Sequence, residues 1–128
     1  MTREIIFLIA FVLPFIYWRS LFAIAERVFD KPYLRTKTGL QIHHLHYGVT
    51  ILMIAMVITL ITGTISLVVW GLLGLSTGLI MDEYIASMML PGDRPLELSI
   101  YKKALWPTGV LLTTIVVVII VLFAILVK

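Results

Sequence analysis

The sequence predicts an all-α polytopic membrane protein, a bundle of four transmembrane helices, and three observations carry that expectation. The 128 residues are 61% hydrophobic and 13% charged, whereas an ordinary soluble domain is about half apolar and about a quarter charged. The apolar residues fall in runs of roughly 20, the length needed to cross a bilayer as a helix. Charged residues gather between the runs, which leaves no stretch for a soluble domain, so a single transmembrane domain over 1–128 is expected.

The first span is expected over 4–27. It contains Pro14, tolerable in lipid and expected to kink the helix, and the aromatic and cationic cluster Tyr17-Trp18-Arg19 suited to the interface. Arg3 is followed by Glu4, and no small-residue cleavage site precedes Arg19, so this run is expected to be retained rather than removed as a signal peptide. Apolar residues continue from Ser20 to Ala25, which sets Arg19 about 9 Å inside the helix end. It must either snorkel or find a partner. Glu26 lies seven residues on, nearly on the same face.

Pro32 and the charges of 29–39 mark a loop, and the second span takes 40–62. The uncharged turn Thr62-Gly63-Thr64 makes the second and third spans an antiparallel hairpin. The third span, 66–89, carries Gly71, Gly74, Gly78 and Asp82 at spacings of three, four and four, one stripe of glycines ending in a carboxylate. Such stripes let membrane helices approach closely, so Asp82 should face a neighbour. Glu83 is about 100° further round, and either carboxylate can be the inward one. Pro91-Gly92-Asp93-Arg94-Pro95 is a turn cluster, and the mixed segment 95–105 is expected to lie along the headgroups. The last span, 106–127, places Pro107 in a favoured first-turn position, and its β-branched run is compatible with a helix in lipid.

All three histidines stand in Gln41-Ile42-His43-His44-Leu45-His46-Tyr47-Gly48. On a helix His43 and His46 lie about 60° apart, with Tyr47 and Thr50 beside them, while His44 is roughly 160° from His46. His43 and His46 are therefore expected to face inward and His44 elsewhere. The spacing H-x-x-H lacks the intervening base of H-E-x-x-H. A bis-histidine haem needs ligands on opposing helices, which one cluster cannot supply in a monomer.

With four spans, the connections after the first and third lie on one side, and they hold Arg27, Lys31, Arg35, Lys37, Arg94, Lys102 and Lys103, against Arg3 and Lys128 on the other. The positive-inside rule puts both connections in the cytoplasm and both termini on the non-cytoplasmic side. His43 and His46 then open the second span at the level where Asp82 and Glu83 close the third, with Arg19 and Glu26 ending the first nearby.

Two function classes follow. In the first, His43, His46, Asp82 and Glu26 ligate a divalent transition metal (zinc, iron or manganese). The ion activates a water for which Glu83 is the base, and Arg19 orients an anionic lipid or isoprenoid substrate. In the second, the chain is a non-catalytic structural or accessory subunit whose histidines and carboxylates lock the helices together. The absence of cysteine excludes disulfides, thiolate metal sites and thiol nucleophiles. No basic stripe with interleaved aromatics points to nucleic acid. The expected partners are membrane lipid and either further copies of the chain or other membrane subunits, in a prokaryotic plasma membrane. An ion path lacks support, since no charged residue stands between Trp106 and Lys128.

Overall fold

A computed structural model describes residues 2–24, 44–89 and 98–126. Four helices follow one another, α1 (Thr2–Ile24), α2 (His44–Thr62), α3 (Leu67–Met88) and α4 (Leu98–Leu126), and no strand occurs among the described residues. Each is long and apolar enough to cross a membrane, so the chain is an all-helical integral membrane protein. Glu26 and His43 lie outside the described residues, as do both connecting segments.

The third helix is the hub. It packs against all three others, and it buries the longest run of residues along its length: Val69, Gly74, Ser76, Gly78, Leu79, Asp82, Glu83 and Ala86. The glycine stripe explains its contact with α1. A Cβ on Gly74 would run into the Phe7 carbonyl and one on Gly78 into the Phe11 carbonyl, so at these two points the helix backbones touch. The two pairings share one offset, which makes α1 and α3 parallel and in constant register. Gly71 is looser, with only the Ile6 side chain near its open face. Hydrophobic burial gives little drive for pairing helices in lipid, so this close approach supplies the dispersion contact instead.

The α2–α3 hairpin forms as the sequence predicts. Gly63 adopts φ 65° and its N–H donates to the Thr59 carbonyl at 2.9 Å, closing α2 with the left-handed residue that glycine reaches most readily. Ser66 opens α3 by accepting from the Val69 N–H at 3.3 Å. Further along, Gly48 seats α2 on α3, where an added Cβ would lie 2.9 Å from the Ser76 carbonyl oxygen. His44, Gly48 and Ala55, the buried residues of α2, fall on one face.

The structure differs from the sequence expectation at α4. The helix begins at Leu98, so 98–105 forms its opening turns rather than a separate segment, and Pro107 stands in the helix interior. Proline there removes the N–H that would bond the Lys103 carbonyl. Tyr101 and Ala104 pack on Ala86 with Phe22, Ile85 and Ile100 around them, and this contact anchors the opening turns of α4. Pro14 is likewise buried inside α1.

The register makes a graded prediction. Gly78→Ala forces a methyl into the α1 backbone and should destabilise the bundle by about 1–3 kcal/mol, whereas Gly71→Ala should be nearly neutral. Thermal unfolding of the two variants in one detergent checks this; equal midpoints would contradict the parallel register.

Candidate functional site

Four helices bring their polar groups to one end of the bundle. The end of α1 supplies Trp18, Arg19 and Phe22, the start of α2 His44 and Leu45, the end of α3 Asp82 and Glu83, and the start of α4 Tyr101. Asp82 is 0% and Glu83 1% exposed, and charges at such depth persist in lipid only when paired.

Arg19 is the centre of the group. Its Nε donates to Asp82 Oδ1 at 3.0 Å, its Nη2 lies 3.0 Å from the same oxygen and donates to the Asp82 carbonyl at 3.2 Å, and its Nη1 donates to the Tyr101 carbonyl at 2.5 Å. One side chain of α1 thus grips α3 and α4 together. The guanidinium also lies over the rings of Tyr101, at 5.2 Å, and Phe15, at 5.5 Å, which favours a cation in a site with little water. In the shared register Arg19 is level with a residue one turn beyond Asp82. Helical side chains lean toward the N-terminus, so the guanidinium reaches back into the bundle instead of snorkelling to the surface.

Glu83 acts on a different pair of helices. Its Oε2 accepts from the Leu45 N–H in the first turn of α2 at 2.6 Å, and its Oε1 accepts from the Tyr101 hydroxyl of α4 at 3.3 Å. The first N–H groups of a helix have no intrahelical acceptor and carry the positive end of its dipole, so a carboxylate there satisfies a donor and a partial charge at once.

His44 completes the cluster. Its ring stacks on Trp18 at 3.8 Å between centroids and lies near Phe22 and Tyr101. Its Nδ1 stands 4.0 Å from Asp82 Oδ2. That oxygen, fully buried, accepts no hydrogen bond among the described residues.

The expected orientation of the histidines is therefore reversed for the two described. His44 is buried against Asp82, and His46 is exposed on the opposite side of α2. The physical reason is the hairpin contact: Gly48 and Ala55 must face α3, and His44 shares their side of the helix. Gly48 was the available signal, four residues from His44 and the only position in this turn small enough to let two backbones meet. Both Asp82 and Glu83 turn inward, where one was expected, because α3 is surrounded on several sides. Arg19, Asp82 and Glu83 are brought together with Tyr101, a residue the sequence reading did not single out for the site. Among the described residues, no three His, Asp or Glu side chains gather where they could hold a metal ion. No protein-family model matches the chain, and comparison with curated proteins and with solved structures finds no match either.

Breaking one side of the buried pair has a clear expected effect. Arg19→Met leaves the Asp82 carboxylate buried without its cation and should cost about 3 kcal/mol or more, while the double variant Arg19→Met/Asp82→Leu should recover a large part of that loss. Denaturation of the wild type, the single variants Arg19→Met and Asp82→Leu, and the double variant completes a double-mutant cycle that reads the coupling; additive losses would show that the two groups act independently.

Proposed function

We propose that the chain is a non-catalytic membrane subunit, a small four-helix scaffold in which Arg19, His44, Asp82, Glu83 and Tyr101 form a fixed interhelical lock. One observation carries this reading. Both oxygens of Glu83 and three nitrogens of Arg19, the groups a hydrolytic site would use as base and anion holder, are engaged in bonds that join different helices. A general base already holding a helix N-terminus and a tyrosine hydroxyl has no oxygen free to approach a water along those directions. The lock also answers a need of the fold, since polar interhelical bonds stabilise bundles that lipid does not drive together.

As a subunit, the chain would meet other membrane subunits or further copies of itself through its lipid-facing sides. Met53, Met56, Val57 and Leu60 of α2 and the far half of α4 form the exposed apolar surface available for this. The charge bias of the connecting segments supports a cytoplasmic position for the lock, and the membrane proposed for it is a prokaryotic plasma membrane.

A second reading is favoured by Asp82 Oδ2 alone. A buried carboxylate oxygen without a hydrogen bond, beside the His44 ring, is where a ligand would be welcome. In that reading the chain is a metal-dependent enzyme acting on a lipid or isoprenoid, with Asp82 joined by His43 and Glu26 around zinc, iron or manganese, while His46, exposed on the far side of α2, stays outside the set.

Elemental analysis separates the two. Purified wild-type protein should contain no stoichiometric transition metal, and Asp82→Asn should change its stability but not its metal content. One equivalent of metal in the wild type, lost in Asp82→Asn, would replace the lock with the enzyme.

A further inference from the structure

At the end of the bundle that holds the lock, a crevice of ≈ 120 Å³ opens between the last turns of α1 and the first turns of α4. Arg19, Phe22, Ala23, Tyr101, Lys102 and Leu105 line it. Two cations and an apolar wall thus share one small cavity, while Asp82 and Glu83 are absent from its lining.

Arg19 has a donor left for this cavity. A guanidinium carries five N–H groups, two of them on Nη1. One Nη1–H serves the Tyr101 carbonyl, and the other has no acceptor among the described residues. The side chain is 9% exposed and lines the crevice that would receive this N–H. It sits on the nitrogen nearest Tyr101, itself a wall of the crevice.

Deeper in the span α4 carries a groove, round the helix from Tyr101 and Leu105 but in line with Lys102 at the edge of the crevice. Lys102 is followed by Trp106, Gly109, Thr113 and Val117 at spacings of four, three, four and four, and Trp106, Gly109, Val110, Thr113, Thr114, Val117 and Val118 line the groove. Its two hydroxyls are turned away from a ligand, Thr113 donating to the Gly109 carbonyl and Thr114 to that of Val110. From Trp106 to Val118 the groove runs about 18 Å along the helix. Trp106, 81% exposed, marks the interfacial level between crevice and groove.

We infer that crevice and groove together hold one anionic glycerophospholipid, its phosphate between Lys102 and the outer N–H of Arg19, one acyl chain along α4. Charge complementarity at the top and a hydroxyl-silent apolar track beneath it match a lipid, which joins a phosphate to a long chain at this depth. Free phosphate would meet the cations but leave the track unused. Arg27, Lys31, Arg35, Lys37 and Arg94, carried by the segments that connect the helices at this end, raise the local concentration of anionic headgroups.

The test uses the whole chain in nanodiscs of phosphatidylcholine to which dibrominated phosphatidylglycerol or dibrominated phosphatidylcholine is added at equal mole fraction, with quenching of tryptophan fluorescence as the readout. The phosphatidylglycerol probe should quench at about fivefold lower mole fraction than the phosphatidylcholine probe, and Trp106→Phe should remove the difference. Lys102→Glu, at an exposed position, should abolish the preference, with the midpoint of thermal unfolding measured beside it to show that the variant is folded. Lys103→Glu, its neighbour outside the crevice, should retain it. Equal quenching by both probes, or equal loss in Lys102→Glu and Lys103→Glu, would overturn the site. Inorganic phosphate that erases the preference at constant ionic strength would overturn its assignment to lipid.

Discussion

The buried pair of Arg19 and Asp82 is the interaction on which the rest of the structure depends. A guanidinium and a carboxylate so far from water are tolerated only together, and their positions are therefore a constraint on every helix that carries or surrounds them. α1 and α3 must run parallel, in the register that lets Arg19 lean back one turn onto Asp82. The backbone contacts at Gly74 and Gly78 hold that register, and a larger residue at either would separate the helices that the charges must join. The remaining donors of Arg19 then decide where α4 begins to pack, because the Tyr101 carbonyl is one of their acceptors. Glu83, one residue along, turns to a different quarter of the bundle and fixes the start of α2 through the Leu45 N–H. Two adjacent carboxylates on α3 thus organise all four helices, one by binding a side-chain cation and the other by binding a helix end.

The four spans and the hairpin were legible because they follow from short-range chemistry: runs of apolar residues of bilayer length and a glycine in a charge-free turn. The glycine stripe ending at Asp82 was legible too, and it faces a neighbouring helix as its spacing requires. The face of α2 was misread. Three histidines invite a reading from their mutual angles, yet Gly48 and Ala55 determine which side of that helix meets α3, and they put His44 inside and His46 outside. Tyr101 escaped notice for a related reason. Its role as carbonyl acceptor and hydroxyl donor depends on α4 beginning well before Pro107, and a proline near an aromatic belt reads more naturally as a helix start than as an interior residue. The extension rests on tertiary contacts of Tyr101 and Ala104 with Ala86, which no local pattern announces.

Polar groups of this kind serve two ends that are hard to separate in a membrane. They hold helices together, and they are also the only places where a chain this apolar can do chemistry or recognise a charged ligand. Most of the cluster's hydrogen-bonding capacity is directed inward, from helix to helix, and that balance favours a lock. What is left over lies at its margins, at one oxygen of Asp82 and one N–H of Arg19, and these two atoms point to different surroundings, the first toward His44 and the second toward the outer crevice.

The separation of 63 residues between Arg19 and Asp82 has a consequence for biosynthesis. At about 5–20 residues per second, translation delivers the carboxylate several seconds after the guanidinium. During that interval the first helix carries a lone cation, which holds it shallow at the aqueous border or inside the insertion machinery. It can settle to final depth only when the third helix arrives. The protein is thereby committed to a deferred assembly, in which the earliest segment made waits for the third before it is fully seated.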